Sequence, residues 1–531
     1  MPTDTGSILL IPPPGQSVIV ERGCAILSRE LWEHHGVRTR RDGATDRVIE
    51  LRVERGIGKE GYRIGRREGG GVRIAGDDER GLLYGIGKFL RTSRLDTNGH
   101  LSGARLGAAT PKKDIRGMYL ATHFHNFFHD APLDNVTRYV EDLALWGVNA
   151  FMVWYDMHHF AGFDDPAAVA HRHRLKAILN TASQLGLDTG LVVVANEGYG
   201  NSPACLRADP GGMRGSAIKS DICPMKEGGR EYIMEGFARE FDWFAPVHPT
   251  FLAIWPYDSG GCGCAQCRPW GSRGFLRIAG PVAKLARERL PGVQIILSTW
   301  FFDRAEWNAF QQEPADGPAW FDFLLTEQFT NAPDDIADQA PPVFGKCAVG
   351  FPEISMWDMA PWGGFGANPF PQRLATLWRG RAPFLAGGFP YSEGIFEDIN
   401  KVVQTQLYWD PDVLPEEILK EYIGYEYAPA VESEVLTVIG LLEQNHHREK
   451  IGPGAGEAFR LMQAAESRLG PRTRGSWRWR ILYLRSLIDR EILAHEGKLR
   501  GGTLQAAFDE LTRIYHADRA LEGWLRPPHV E

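Results

Sequence analysis

The sequence predicts a (β/α)8 barrel with a small α+β unit before it and a helical unit after it, and three observations carry this. Between about residues 115 and 397, short apolar runs alternate with helical patterns eight times, and eight such units over about 280 residues match the size of this fold. The runs are mostly continuous rather than alternating, as strands covered on both faces should be. The rival doubly wound sheet would place a Gly-x-Gly-x-x-Gly turn after the first strand, where Thr122-His123-Phe124-His125-Asn126 stands instead.

Residues 1–112 form the first unit. Alternating segments at 17–21, 47–54, 61–67 and 71–75 read as strands, and Glu68-Gly69-Gly70 joins the last two as a hairpin turn. Asp77-Asp78-Glu79-Arg80 then opens a helix through Tyr84 to Leu90, its acidic first turn matching the helix dipole. A sheet covered by one helix is expected. The barrel occupies residues 113–400, with strands at 116–121, 150–155, 188–195, 251–256, 294–299, 323–327, 346–353 and 384–391. Val136, Tyr139, Val140 and Leu143 share one helical face between the first two strands, and helices at 167–185 and 275–290 follow the same logic. Residues 401–531 are helical. Pro415 sits in a first turn, Ile481, Leu484, Ile488 and Ile492 repeat at helical spacing, and Gly452-Pro453-Gly454 and Gly470-Pro471 separate helices.

Composition narrows the function. With 43% apolar residues over 531 positions, the chain can bury a large core and is neither disordered nor a coiled coil. A net charge of −8 leaves no electrostatic footprint for nucleic acid. Apolar runs such as 190–195 fall far short of the roughly 20 residues of a membrane span. Met1-Pro2-Thr3-Asp4-Thr5-Gly6 lacks the basic start of a signal peptide, and seven cysteines in such a long chain are no disulfide scaffold. A cytoplasmic enzyme without nucleic-acid or membrane partners is expected. The long loops at 201–219 and 358–371 are placed to shape a pocket or a homodimer interface.

In a barrel of this kind the chemistry sits at the C-terminal strand ends. Those ends carry His123 and His125; Trp154 and Asp156; Glu197; Tyr257 and Asp258; Trp300 and Asp303; Glu327; Glu353; and Tyr391 and Glu393. A carboxylate alone at a strand end is as often a helix cap or an ion-pair partner. A ring of them, each with an aromatic beside it, offers acids to a reacting centre and flat faces to a sugar. Glycoside hydrolysis needs two carboxyl groups flanking the scissile bond, one to protonate the leaving oxygen and one to attack or activate water. That chemistry requires no cofactor. Asp258, Glu353 and Glu327 are the catalytic candidates. His123, His125, Trp154, Glu197, Tyr257, Trp300, Tyr391 and Glu393 are expected to bind a small carbohydrate.

Tyr62-Arg63-Ile64, the stretch from Val72 through Gly81-Leu82-Leu83-Tyr84-Gly85, and Arg116-Gly117-Met118 at the start of the first barrel strand carry a family resemblance. This region resembles exo-acting glycoside hydrolases in which a small α+β domain precedes a barrel: the family-20 β-N-acetylhexosaminidases and the family-67 α-glucuronidases. The resemblance implies removal of a terminal sugar, with the glycine-flanked helix playing a structural part. Family-20 enzymes carry adjacent Asp-Glu after strand 4, where this chain has Tyr257-Asp258-Ser259-Gly260-Gly261. The α-glucuronidase layout fits better, and it implies Asp258 as general acid with Glu327 or Glu353 as base or nucleophile. If Asp258 only binds hydroxyls, Glu353 or Glu393 supplies the acid.

Cys262, Cys264 and Cys267 have spacing suited to a tetrahedral zinc site, with Cys223 or a histidine as fourth ligand; free thiols are the alternative. Such a zinc would be structural, bracing the loop that presents Asp258. Two other functions compete with hydrolysis of sugars. His123-Phe124-His125 is similar to the metal-binding His-x-His of the amidohydrolases, although that family's Lys after strand 4 and His after strands 5 and 6 are not seen here. A non-catalytic carbohydrate-binding protein would share the same aromatic ring.

Overall fold

The barrel predicted from eight apolar runs is closed. Its strands are β1 (Ile115–Leu120), β2 (Ala150–Trp154), β3 (Asp188–Val194), β4 (Phe251–Trp255), β5 (Gln294–Ser298), β6 (Phe323–Glu327), β7 (Cys347–Phe351) and β8 (Leu385–Gly388). Each pairs in parallel with the next, and β8 returns to β1 through Gly387 beside Ile115 and Gly388 beside Arg116. In this computed structural model the described residues are 7–530 except 16, 44, 46, 96–100, 123–124, 211–219, 257–260, 313–318, 328–344, 355–359, 363–365, 447, 449–450, 521–527 and 529, with the backbone alone at 101, 102 and 327.

Burial explains why the runs are continuous. Inward residues, such as Ala150, Met152 and Trp154 on β2 and Phe251, Ala253 and Trp255 on β4, pack together inside the barrel. Their outward neighbours Phe151, Val153, Leu252 and Ile254 join the layer under the surrounding helices. Both faces are dry, so no polar alternation survives. Helices Leu133–Leu145, Pro166–Gln184, Gly229–Phe244, Leu276–Arg289, Arg304–Gln311, Pro371–Arg381 and Asp398–Trp409 lie between or after the strands.

The first unit differs from the sequence reading in two respects. The segment at 17–21 is no strand; it opens a helix, Val18–His35, whose Val20, Cys24, Leu27 and Leu31 are buried at helical spacing. The β-branched run Val18-Ile19-Val20 mimics a strand locally, but the apolar pattern downstream has the 3.6 period and decides the outcome. The sheet is therefore covered by two helices, Val18–His35 and Glu79–Thr92, rather than one. A strand not foreseen, Ile8–Ile11, pairs in parallel with Thr39–Arg40 and Val48–Val53. The predicted hairpin is present, Tyr62–Arg66 against Val72–Gly76, and Asp78 caps Glu79–Thr92 by accepting from the Gly81 N–H at 2.8 Å.

Five longer helices follow: Pro415–Glu426, Glu432–Gln444, Gly454–Glu466, Trp477–Ala494 and Gly502–Tyr515. Two buried ionic clusters join the parts. Arg116, fully buried on β1, bonds Glu60 of the first unit, and Arg80 bonds both Glu60 at 3.0 Å and Asp188 of β3 at 2.9 Å. Asp398 accepts from Tyr139 at 2.8 Å, Tyr422 at 2.7 Å and Arg478 at 2.9 Å, binding the C-terminal helices to the barrel. Among the described residues no helix is long and apolar enough to cross a membrane.

Candidate active site

The C-terminal mouth of the barrel has an aromatic floor. Trp255, at the end of β4, stacks on Trp300 at 5.6 Å and meets Phe351 edge-on at 4.8 Å. Phe351 and Tyr119 carry the contact on to Tyr391, at 5.7 Å and 5.4 Å. Tyr119, Trp255 and Phe351 are the last inward residues within their strands, and Trp300 and Tyr391 lie two and three residues beyond the ends of β5 and β8.

The closing seam places two of the carboxylates. Tyr391–Ser392 extends β8 and pairs with β1, the Tyr119 and Ala121 N–H groups donating to Pro390 and Ser392 at 3.0 Å and 2.9 Å. On the other side the Tyr391 N–H donates to Pro352, and Glu353 bridges to Tyr391. Glu353 is half-buried beside that seam. Glu393, 2% exposed, accepts the Tyr391 hydroxyl, and its backbone N–H is fixed by Glu397 at 2.7 Å.

A third carboxylate, Glu197 after β3, is held from three sides. Trp154 Nε1 donates to it at 3.1 Å, the Met157 N–H at 2.7 Å, and His158 Nδ1 lies 3.4 Å away. Behind it Asp156 binds His158 Nδ1 at 2.6 Å and His159 Nδ1 at 2.9 Å. Burial alone would lower the His158 pKa, but Asp156 and Glu197 outweigh it and hold the imidazole up to about 10. Burial acts to raise the Asp156 carboxyl; the two histidines overcome it and hold that carboxyl far below the usual range. Glu197 is raised by burial, with the Asp156 charge adding to the effect. Asp221, fully buried, is pushed well up by burial and then by the Glu197 charge, and neither of its oxygens has a hydrogen-bond partner among the described residues.

Asn196, also at the end of β3, clamps two loops. Its side chain donates to Ile222 O at 2.9 Å and Gly261 O at 3.0 Å, and accepts from the Gly261 N–H at 3.0 Å. The residues following those two carbonyls are Cys223 and Cys262. With Cys264 and Cys267 they place four sulfurs within 4.8 Å of one another.

The predicted residues thus divide into three groups. Trp154 and Glu197 meet at the mouth, as do Tyr391, Glu393 and the backbone of Glu353. Trp300 completes the floor. His125 turns away to its own helix, stacking on His129 at 3.9 Å with Nδ1 3.4 Å from Asp130. Asp303 proves to be a cap, sharing a capping box with Glu306 at the start of Arg304–Gln311. His123, Tyr257 and Asp258 lie outside the described residues, and Glu327 is placed by its backbone as the last residue of β6. Sequence reasoning missed the Asp156–His158–Glu197 relay and Asp221. The first had a signal in Asp156-Met157-His158-His159 at a strand end, whereas Asp221 lies far along a loop with none.

A cavity of about 570 Å³ opens beside Glu197, with Phe163, Tyr199, Tyr232 and Arg239 in its wall. A larger one, about 760 Å³, lies away from the mouth between the first unit and the C-terminal helices, among Glu30, Arg138, Asp142 and Arg478. Size does not make it the site: it is lined by the ion pairs that join the parts.

No family model matches this chain, and no curated protein matches it. Solved structures do match its fold. A family-115 4-O-methyl-α-glucuronidase with specificity for decorated arabinogalactans has a TM-score of 0.62 at 12% identity, covering 98% of this chain and 78% of its own. A family-138 enzyme targeting pectin rhamnogalacturonan II has a TM-score of 0.61 at 9% identity, covering 96% of this chain and 72% of its own. The family-20 exo-β-N-acetylglucosaminidase from Vibrio harveyi has a TM-score of 0.52 at 13% identity, covering 79% of this chain and 73% of its own. At these identities the likeness is one of fold, and it includes the family-20 architecture that the first unit resembles.

Proposed function

We propose that the chain is a glycoside hydrolase that removes a terminal sugar with a pair of carboxyl groups. One observation carries the reading: Glu197, Glu353 and Glu393 follow the third, seventh and eighth strands of a closed parallel barrel, at the end where Trp255, Trp300, Phe351 and Tyr391 cluster. Supporting it are solved structures of like fold that act on glycosidic bonds, among them an α-glucuronidase and an exo-β-N-acetylglucosaminidase. In this reading Asp258, three residues beyond β4, protonates the leaving oxygen. Glu353 or Glu327 attacks the anomeric carbon or activates water, and Glu393 replaces Asp258 as acid if that residue only binds hydroxyls. Trp154-anchored Glu197 accepts hydrogen bonds from sugar hydroxyls, and the aromatic floor takes the ring's apolar face.

The test is chromophore release from synthetic monosaccharide glycosides of both anomers, including uronides and N-acetylhexosaminides. One member should turn over well above the rest. Glu353→Gln should lower kcat on that member by about 100-fold or more, the range a positioned acid–base or nucleophilic group supplies, with the melting temperature unchanged. No hydrolysis of the panel, together with no release of sugar from oligosaccharides, would overturn the reading and favour a carbohydrate-binding protein.

A further inference from the structure

Cys223 lies 39 residues before Cys262 in the chain, yet the fold brings it to the sulfurs of the β4 loop. Cys223 Sγ is 3.8 Å from Cys264 Sγ and 3.9 Å from Cys267 Sγ. Four sulfurs arranged tetrahedrally around zinc at about 2.3 Å are about 3.8 Å apart; these two edges already have that length, and all four sulfurs lie within 4.8 Å of one another. A disulfide would need one pair at about 2.05 Å and would leave the other two thiols unexplained.

We propose that Cys223, Cys262, Cys264 and Cys267 form a structural zinc site that staples the loop after β3 to the loop after β4. A second observation points the same way. The Asp209 N–H donates to Cys262 Sγ at 3.4 Å. An N–H aimed at a ligand sulfur is the kind of outer contact that orients metal-bound cysteines. Gly263, between two of the ligands, has its Cα pressed against the opposite loop: a Cβ there would stand 2.2 Å from the Pro210 carbonyl oxygen. The turn can close only around glycine. Asn196 adds the rigid backing, since it clamps the residue immediately before Cys223 and the one immediately before Cys262.

Loading is a ligand exchange without redox change: four thiols lose their protons as one Zn²⁺ replaces its waters, leaving a site of net charge −2. This assignment stands independently of the hydrolase reading. The test uses the full chain, expressed with added zinc and dialysed under reductant, with elemental analysis of the protein. About one zinc per chain is expected. It should be kept by a Cys205→Ser/Cys347→Ser double variant and lost from Cys264→Ser. Because Cys264→Ser could misfold, cobalt is exchanged into the unmodified chain as well. Visible ligand-field bands of tetrahedral cobalt, with sulfur-to-cobalt charge transfer in the near ultraviolet, are expected. Substoichiometric zinc without those bands would overturn the proposal, as would iron in place of zinc or a disulfide between any two of the four cysteines.

Discussion

At the residue scale the mouth of the barrel is organised by what each carboxylate touches. Glu197 is the clearest case: two N–H donors and an imidazole orient it, and Asp156 orients the imidazole in turn. His158 titrates near 6.5 when unfolded and is held to about 10 when folded. Its contribution to stability is therefore whole below about pH 6.5 and is lost as the pH rises toward 10. The melting temperature should fall across that window, and His158→Gln should flatten the slope while lowering stability at neutral pH; a calorimetric pH series checks both. The strand-end rule made Trp154, Glu197, Tyr391 and Glu393 legible in the sequence, because barrel topology converts a position in the chain into a position at the mouth. It could not separate Asp303, which caps a helix, from Glu353, since both read as a carboxylate after a strand. Asp221 was illegible: its place depends on Asn196 drawing in a loop that no local pattern describes.

At the scale of elements, glycine positions show how the first unit meets its neighbours. The stretch Gly81-Leu82-Leu83-Tyr84-Gly85 is structural for a reason the geometry makes plain: a Cβ on Gly81 would lie 2.1 Å from the Gly61 carbonyl oxygen. That oxygen is backbone and cannot swing aside. Gly81→Ala should cost about 1–3 kcal/mol, the usual toll of overpacking, read as a lower urea midpoint with an unchanged slope. Two turns along the helix, Gly87 lies against the Leu145 carbonyl oxygen, where a Cβ would stand at 2.1 Å, so the same helix uses missing side chains to approach both its own sheet and the barrel. Elements with a sustained period were readable from sequence, including the helices at 167–185 and 275–290, each found within about a residue. The segment at 17–21 was misread because three β-branched residues at a helix start outweighed, over five positions, a period visible only over eighteen.

For the molecule as a whole, the junctions are ionic and buried. Arg116 bonds the Gly147 and Lys113 carbonyls at 2.8 Å and 2.9 Å as well as Glu60, and lies over Trp409 at 5.2 Å. Arg116→Met keeps much of the volume but takes from Glu60 one of its two arginines, leaving it with Arg80 and the Asn149 amide. Breaking a buried pair this way should cost about 3–5 kcal/mol, measured by equilibrium denaturation. Glu60→Gln in the same background should recover part of the loss, because it removes the unmatched charge. The order of the three parts was legible, since the change from strand–helix alternation to helices alone is a change of pattern. The ionic junctions were not, because each joins residues distant in sequence whose types are ordinary.

The seam between the last and first strands carries a meaning in time as well as in space. The hydrogen bonds that tie Tyr391–Ser392 to β1 join stretches of chain roughly 270 positions apart, among the most distant contacts in the barrel and the costliest in loop entropy. Most of the tryptophan-bearing sheet can assemble from nearer neighbours, strand upon strand. Tyr119 and Tyr391 come into stacking contact only when the circle shuts. A half-made barrel of this chain would hold Glu353, Tyr391 and Glu393 together yet leave the mouth open on the β1 side, so in the hydrolase reading activity should return only at the final closure.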